Sequence, residues 1–155
     1  MNEVKFRGAT AADLEGLMTV LSQTELFPSE MLPEMIAPFL NAEGESIWLT
    51  GLTSGVPVAL CYAEPEQLAD RVWNMLALAV LPKVQGQGIG GKMVAKLEAD
   101  LIAKGQRMLI VDTSGDSAFE RTRRFYEKHG YEEEARIRDY WSAGEDKVTY
   151  RKKLG

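Results

Sequence analysis

The stretch Gln85-Gly86-Gln87-Gly88-Ile89-Gly90-Gly91-Lys92 decides what kind of domain this chain can form. It follows an apolar strand pattern over residues 75–81 and a proline at position 82, and it opens onto a helical pattern. Glycines let the backbone approach a ligand closely, and the N–H groups at the start of a helix carry a partial positive charge. The stretch therefore predicts a phosphate-binding loop.

Three phosphate-binding signatures match these glycines. The dinucleotide fingerprint G-x-G-x-x-G fits from Gly86, and an acid expected about twenty residues on has a counterpart in Asp112. The P-loop pattern fits from the same glycine, but Met93 stands where a Ser or Thr holds magnesium. The signature Q/R-x-x-G-x-G/A, which binds pyrophosphate in one superfamily of N-acetyltransferases, fits from Gln85.

The surroundings of the loop exclude the first two signatures. Residues 82–85 separate the strand from the first glycine, whereas a dinucleotide fold has almost no such gap. Too few residues follow Gly91 for the rest of a doubly wound sheet, and the preceding strands form a hairpin pattern without crossover helices. A tight turn without a ligand is the remaining alternative, although such turns rarely need four glycines.

Length and composition indicate one ordinary globular domain over residues 1–155, with 45% hydrophobic and 26% charged residues. The longest apolar run, residues 75–81, is too short to cross a bilayer, so we expect no membrane segment. The start Met1-Asn2-Glu3 has no signal-peptide core. We therefore predict a cytoplasmic protein.

The chain has a single cysteine and a single histidine. Cys61 lies in an apolar strand pattern, which favours a core position over a nucleophile. His129 falls at the end of a helical pattern, where capping is favoured over a role as a base. We predict neither a disulfide nor a metal site.

Charge is divided unevenly along the chain. Residues 1–70 contain two basic and eleven acidic residues, whereas residues 71–155 contain sixteen basic and twelve acidic residues. An acidic half beside a basic half suits a cationic acceptor and an anionic cofactor, and a merely solvated acidic surface is the alternative. The overall acidity argues against nucleic acid as a partner.

Sequence patterns predict a mixed α/β domain around one sheet, in the order β, α, α, β, β, β, α, β, α, β, β. The predicted strands cover residues 4–7, 47–52, 56–62, 72–81, 108–111, 131–138 and 147–153. The predicted helices follow Thr10, span about 29–40 and 88–104, and begin at a Ser117 cap. Asp112 is expected as a turn residue or as a polar group at the C-terminal end of a strand, and Ile102 as an inward-facing helical residue.

Three features together resemble the GCN5-related N-acetyltransferases: this element order, the loop after Leu78-Ala79-Val80-x-Pro82, and Phe125-Tyr126-x-x-x-Gly130-Tyr131. The resemblance covers essentially the whole chain. It implies an acyl-CoA N-acyltransferase fold, with a mostly antiparallel sheet, helices on both faces and a splayed strand pair. It also implies acetyl-CoA as cofactor and a primary amine, on a small molecule or a peptide, as acceptor. Dimers are frequent in this superfamily, so a homodimer is an expected assembly.

By the same resemblance, the N–H groups of the loop hold the pyrophosphate of the cofactor, and strand backbone groups hold its pantetheine arm. An N–H of Leu78 or Ala79 would polarise the thioester carbonyl, a type of interaction worth about 3 kcal/mol. The residues predicted to bind the cofactor are Leu78, Ala79, Val80, Gln85, Gly86, Gln87, Gly88, Ile89, Gly90, Gly91 and Lys92.

The resemblance assigns Tyr126 as the proton donor, because a phenol with a pKa of about 10 can protonate a thiolate with a pKa near 8.5. Asn74 stands where histone-type members carry a general-base Glu, and an amide cannot accept a proton from an ammonium. A water chain ordered by Asn74, or a carboxylate such as Glu25, Glu30 or Glu64, is the expected base. The missing Glu leaves a catalytically silent acyl-CoA-binding module as the alternative function.

Aromatic residues offer walls for an acceptor pocket. Trp73, Tyr140 and Trp141 are candidates, and packing of a central strand and a hairpin explains them equally well.

Overall fold

A seven-stranded sheet organises the chain in the computed structural model, which describes residues 3–155. Met1 and Asn2, part of the N-terminal stretch considered above, lie outside the described residues. The strands are β1 (Val4–Gly8), β2 (Ile47–Thr53), β3 (Val56–Pro65), β4 (Val72–Val80), β5 (Met108–Ser114), β6 (Glu132–Ser142) and β7 (Glu145–Lys153). The helices are α1 (Leu14–Thr24), α2 (Leu32–Leu40), α3 (Ile89–Ala103) and α4 (Glu120–Lys128). The spatial order is β1-β2-β3-β4-β5-β7-β6, and only β4 and β5 pair in parallel. The predicted mixed, mostly antiparallel sheet is confirmed.

Helices cover both faces of the central strands. Residues 47–52 of β2 and 57–63 of β3 are buried without interruption. Because successive strand side chains point to opposite faces, a strand buried throughout needs cover on both sides. Helix α1 packs on β3 and β4, and α3 packs on β2, β3 and β4 through residues that are nearly inaccessible to solvent: Met93, Val94, Leu97 and Leu101.

Two local predictions were wrong. Ile102 is 47% exposed, because it lies about 100° around the helix from Leu101, which faces the core. Ser117 does not cap the last helix: Asp116 caps the short 3₁₀ turn Ser117–Phe119 that precedes α4, and its carboxylate accepts a hydrogen bond from the Ala118 N–H at 3.2 Å. Asp112 is a polar group within β5, the second of its two expected positions, and the strand continues past it to Ser114.

Strand β4 has two irregularities that shape the site. A β-bulge leaves Leu76 as an extra residue, because Met75 is opposite Ala63 while Ala77 is opposite Tyr62. In addition, β4 pairs with β5 only through residues 72–74, so residues 75–80 have no strand partner on that side among residues 3–155. This separation of β4 from β5, called the gap below, confirms the predicted splayed strand pair.

None of the helices in the described part of the chain combines the length and apolar character needed to span a membrane.

Gly16 allows α1 to approach β3 closely, and this contact gives a stability prediction. A Cβ atom at Gly16 would lie 2.6 Å from Cδ of the buried Pro57. Glycine to alanine within a helix ordinarily stabilises it by about 1 kcal/mol. We expect Gly16→Ala instead to lower the free energy of unfolding by about 1–3 kcal/mol through overpacking. Urea unfolding measures the change, with Ser22→Ala on the exposed side of α1 as the matched control; a more stable Gly16→Ala protein would contradict the prediction.

Candidate active site

A cavity of about 720 Å³ lies between the glycine loop (residues 85–92), the end of β4 and helix α4. Leu78 and Val80 of β4 line one wall, and Phe125 and Tyr126 of α4 line another. Its volume falls within the range of roughly 300–1,000 Å³ that is usual for small-molecule sites. The cavity begins beside the strand edge that β5 leaves unpaired, so backbone and loop can act on one ligand.

The glycine loop presents a row of free backbone donors. The N–H groups of residues 86–91 have no hydrogen-bond partner among residues 3–155, and the first helical bond runs from Lys92 N–H to the Gly88 carbonyl at 3.1 Å. The start of a 15-residue helix adds its positive dipole end at the same place. Unpaired donors at a helix N-terminus fit an anionic phosphate group.

The four glycines of the loop serve two different purposes. Gly86 and Gly88 adopt φ of +81° and +80°, with nothing near the position of a Cβ atom, so they supply the left-handed turn and an open face. Gly90 and Gly91 are helical and bring α3 against α4. A Cβ at Gly90 would lie 3.4 Å from the Phe125 ring, and one at Gly91 would lie 2.6 Å from Cε1 of His129.

Gln85 connects the loop to β4, since its Nε2 donates a hydrogen bond to the carbonyl of Val80 at 2.9 Å. Two other predicted residues do not line the cavity: Ala79 is 5% exposed with its side chain in the core, and Gln87 is exposed. The predicted cofactor residues that the cavity brings together are Leu78, Val80, Gln85, Gly86, Gly88, Ile89, Gly90, Gly91 and Lys92.

Basic residues of α4 also line the cavity. Arg121, Arg124 and Lys128 face it opposite Lys92 of α3, and Arg124 makes an ion pair of 2.6 Å with Glu120. From the sequence, Arg121 and Arg124 were assigned only to the basic half of the chain, residues 71–155. Their spacing of three and four residues puts all three on one helical face, and this was the signal that could have assigned them. Four cationic side chains and six free N–H groups fit the charge of coenzyme A phosphates.

Tyr126 lies at the inner end of the cavity. Its residue is 6% exposed, and its ring contacts Tyr131 and Tyr150 at centroid distances of 5.8 and 6.0 Å. The hydroxyl has no hydrogen-bond partner among residues 3–155. Burial, with a smaller contribution from Cys61, raises the pKa of Tyr126 well above its usual value. The side chain is therefore a neutral phenol, with its proton available, across the physiological pH range.

Asn74 lies in a polar cluster where β4 and β5 separate. Its Nδ2 donates hydrogen bonds to Glu66 Oε1 at 2.9 Å and to Asp112 Oδ2 at 3.4 Å. Asp112 Oδ1 also accepts a hydrogen bond from the Thr149 hydroxyl at 2.6 Å. Sequence reasoning assigned no role in proton transfer to Glu66 or Asp112. The polar Asn74 inside the apolar strand pattern of residues 72–81 was the only signal.

The carbonyl oxygen of Asn74 is buried and has no hydrogen-bond partner among residues 3–155. Leaving such an acceptor unsatisfied costs about 1–3 kcal/mol. The amide cannot rotate to relieve this, because the exchange would turn its oxygen toward the carboxylates of Glu66 and Asp112. The two carboxylates therefore fix the orientation of Asn74.

The phenol and the carboxylates lie on opposite faces of the sheet. Thr149 and Tyr150 are consecutive in β7, so their side chains point to opposite sides. Thr149 binds Asp112, whereas Tyr150 contacts the ring of Tyr126. The gap between β4 and β5 is thus flanked by a buried phenol on one face and by carboxylates on the other.

The bulge at Leu76 is what divides β4 between these faces. Asn74 is opposite Glu64 in the pairing with β3, whereas Leu78, beyond the bulge, is opposite Cys61. Glu64 and Cys61 are an odd number of residues apart, so they face opposite sides of the sheet. In a strand without a bulge, two residues four positions apart, such as Asn74 and Leu78, would share one face.

The predicted carboxylate bases do not contact Asn74 through hydrogen bonds. Glu64 accepts a hydrogen bond from the Tyr62 hydroxyl, Glu25 ends α1 with φ of 54°, and Glu30 lies in a short turn before α2. The Asn74 amide is hydrogen-bonded to Glu66 and Asp112 and to none of these three carboxylates.

The three aromatic candidates separate into one core residue and two residues near the cluster. Trp73 is 4% exposed and donates a hydrogen bond to Gln106, so packing explains it. Tyr140 and Trp141 are about half exposed; the Trp141 indole donates to the carbonyl of Thr113 at 3.2 Å. Lys147 Nζ lies 4.3 Å from the Tyr140 ring centre and 3.9 Å from Asp112 Oδ2, linking the aromatic pair to the carboxylates.

The model of the acetyltransferase (GNAT) domain family matches residues 43–133. The chain belongs to the GNAT acetyltransferase family. The matched segment runs from before β2 to the first residues of β6, so it contains the glycine loop, the bulge, Asn74 and Tyr126. This confirms the resemblance found in the sequence, and with it the prediction of an acetyl-CoA-dependent acyltransferase.

Solved structures share the whole fold of this GNAT chain. A protein of Desulfovibrio desulfuricans assigned to the GNAT family is 26% identical with a TM-score of 0.89, and the alignment covers 99% of this chain and 100% of that one. The ribosomal-protein-S18-alanine N-acetyltransferase of Escherichia coli is 18% identical, with a TM-score of 0.79 and coverage of 99% and 95%. An aminoglycoside 6′-N-acetyltransferase complexed with coenzyme A is 17% identical, with a TM-score of 0.78 and coverage of 96% of both chains. A search of curated proteins returned no match.

The role of Cys61 in this GNAT domain can be tested directly. Its side chain is inaccessible, and burial raises the pKa of the thiol to about 12. We expect the folded protein to react with a disulfide reagent at pH 8 at least roughly 100-fold more slowly than the protein unfolded in guanidinium, because thiolate is the reactive form. Absorbance of the released chromophore measures both rates, and rapid labelling of folded protein would return Cys61 to the list of nucleophiles.

Proposed function

We propose that this chain transfers the acetyl group of acetyl-CoA to the primary amine of a small, cationic acceptor, by direct attack in a ternary complex. The observation that carries this proposal is a row of six N–H groups at residues 86–91, next to the edge of β4 at residues 75–80. Among residues 3–155 the N–H groups have no hydrogen-bond partner and the edge has no strand partner. One polar ligand with an anionic end and an amide-containing arm would satisfy both.

The donor would be held at its two ends by different groups. The N–H groups of the loop, with Lys92 and Arg121, would bind the phosphates, and the free edge of β4 would bind the pantetheine arm as an added strand does. Bound acetyl-CoA supplies the acetyl group as a thioester, whose carbonyl carbon is open to attack by an amine. An N–H of Leu78 or Ala79, close to the bulge, would stabilise the negative charge that develops on the carbonyl oxygen.

Tyr126 would donate its proton toward the departing sulfur from the α4 side of the sheet. Burial keeps the phenol protonated at rest, because it raises the pKa above that of free tyrosine. The same raised pKa disfavours a free phenolate, so the proton of Tyr126 must be replaced promptly. The proton that the attacking nitrogen loses is the matching source.

The acceptor would arrive from the opposite face, where Glu66 and Asp112 lie. Two carboxylates and the acid-rich first half of the chain favour an amine that carries positive charge. The aminoglycoside enzyme supports a small polycation, and the ribosomal-protein enzyme supports a peptide amine as the second acceptor class. Asn74 at the position of a general base favours one competing function, a silent acyl-CoA-binding module.

Binding of the donor is the first test. We expect Lys92→Ala combined with Arg121→Ala to weaken acetyl-CoA binding at least about tenfold, because charge-assisted hydrogen bonds to phosphate are lost. Isothermal titration calorimetry with acetyl-CoA measures the affinity. Lys104→Ala, at the far end of the same helix α3, is the matched control and should bind like the unchanged protein. Failure of acetyl-CoA to bind the unchanged chain would exclude the proposed function.

Turnover separates an enzyme from a silent binder. Thiol release from acetyl-CoA is measured with spermidine, lysine, kanamycin and a peptide that begins with alanine. We expect the unchanged protein to turn over at least one cationic amine of this set. Binding of acetyl-CoA without thiol release for every amine would favour the silent module.

The proton donor has its own prediction. We expect Tyr126→Phe to fold normally and bind acetyl-CoA unchanged, yet to lower kcat by about tenfold or more, because general acid assistance is lost. Thermal unfolding and calorimetry serve as the controls for folding and binding. An unchanged kcat would remove Tyr126 from the mechanism.

A further inference from the structure

The hydrogen bonds of Asn74 point to the group that accepts the proton of the amine. We propose that Glu66 is the proton acceptor for the incoming ammonium and that Asn74 is its positioning residue, an assignment that rests on the proposed acetyl transfer. The side chain of Asn74 cannot accept this proton itself. It instead holds a carboxylate on each side of its amide nitrogen, 2.9 Å from Glu66 Oε1 and 3.4 Å from Asp112 Oδ2.

Glu66 is the carboxylate of the pair that still has an oxygen open to accept a proton. Both oxygens of Asp112 are engaged, one by the Thr149 hydroxyl at 2.6 Å and the other by Asn74, with Lys147 at 3.9 Å. Glu66 uses only Oε1, and its Oε2 has no hydrogen-bond or ion-pair partner among residues 3–155. A carboxylate with an open oxygen and no paired cation can receive a proton, whereas one already neutralised and fully bonded is a weaker candidate.

The position of the pair suits the direction of attack. Asn74 is the last residue of β4 that pairs with β5, and its partner Ile110 precedes Asp112 by two residues on the same face. The carboxylates therefore stand at the closed end of the gap. Tyr126 lies on the other face of the sheet, so proton acceptance and proton donation occur on opposite sides of the reacting carbon.

Glu66 and Tyr126 together account for every proton that moves in the proposed transfer. The ammonium nitrogen gives one proton to Glu66, and Glu66 releases it to solvent after transfer. The freed lone pair forms the N–C bond while the C–S bond breaks with its electron pair on sulfur. Tyr126 gives its proton to that sulfur and regains one from the nitrogen. The products are an amide, a thiol and one released proton.

The test compares Glu66→Gln, Asp112→Asn and Glu64→Gln with the unchanged protein, using whichever of the four amines above gives turnover. Glu15→Gln, an exposed acid on α1, controls for loss of one negative charge. We expect Glu66→Gln to lower kcat about 100-fold or more at pH 7, the usual magnitude for general base catalysis. The affinity for acetyl-CoA, measured by calorimetry, should stay within twofold, roughly, because the phosphate site is untouched.

The pH dependence distinguishes a proton acceptor from a structural residue. The charged groups around this cluster are Glu64 of β3, which is opposite Asn74, Asp112 of β5, and Lys147 and Arg151 on the same face of β7. The two basic residues are left unchanged in every variant. We expect the deficit of Glu66→Gln to shrink at least tenfold between pH 7 and pH 9.5, roughly, as more of the amine becomes free base with a pKa of about 10. A deficit that is constant with pH would overturn the assignment.

A readout without turnover checks the positioning role of Asn74. In two-dimensional NMR of the ligand-free protein, the side-chain NH2 signals of Asn74 should move in Glu66→Gln and in Asp112→Asn, and stay in place in Glu15→Gln. Asn74→Ala should lower kcat while the affinity for acetyl-CoA stays unchanged. Unmoved Asn74 signals in Glu66→Gln would overturn the positioning role.

The remaining outcomes separate this assignment from the proposed function. If turnover is measured and Glu66→Gln stays within threefold of the unchanged protein, roughly, only the assignment fails. If Asp112→Asn or Glu64→Gln lowers kcat more than Glu66→Gln does, with the same dependence on pH, that residue is the proton acceptor and the assignment to Glu66 is likewise overturned. If acetyl-CoA does not bind, or binds without thiol release for any amine, the proposed transfer fails and the assignment with it.

Discussion

The separation of β4 from β5 after Asn74 is the constraint on which the rest of the site depends. Backbone N–H and C=O groups require partners, and those of residues 75–80 that point toward β5 have no strand partner among residues 3–155. The separation persists because β5 keeps its pairing with β7 along its full length, so β5 follows its antiparallel neighbour and not β4. The unpaired edge is thus built into the sheet before any ligand arrives.

The bulge in β4 converts this edge into a two-sided site. One extra residue, Leu76, turns the side chains of the strand so that its first half faces the carboxylates and its second half faces the cavity. The sheet then serves as a partition, with the buried phenol on one face and polar, partly accessible side chains on the other. In the proposed reaction, the same partition would keep the phosphates of the donor apart from the ammonium of the acceptor.

Features set by neighbouring residues could be predicted from the sequence. The glycine loop, helix α3 and the hairpin of β2 and β3 follow from local patterns, and Tyr126 followed from a motif. The cluster at Asn74 could not be predicted, because Asn74 and Asp112 are 38 positions apart and meet only through the register of β4 with β5. The bulge also reverses the alternation of side chains, which no local period indicates.

The sequence pattern predicted one purpose, phosphate binding, for all four glycines of the loop, whereas the structure shows two. Two of them turn the backbone, and two admit the rings of Phe125 and His129. Only tertiary packing reveals the second purpose, since Phe125 and His129 lie more than thirty residues further along the chain. The positions of Arg121 and Lys128 on the cavity wall depend on the same packing.

The hydrogen bond from Gln85 to the carbonyl of Val80 sets the distance between the glycine loop and the bulge in β4. It fastens the anion-binding loop to the end of β4, and the bulge lies four residues back along that strand, about 13 Å at the usual rise per residue. Because loop and strand are joined, this span is fixed. In the proposed reaction, a donor with a shorter arm would leave its carbonyl short of the bulge, and one with a longer arm would buckle. The site would then select its donor by the length between phosphate and thioester as much as by the chemistry at either end.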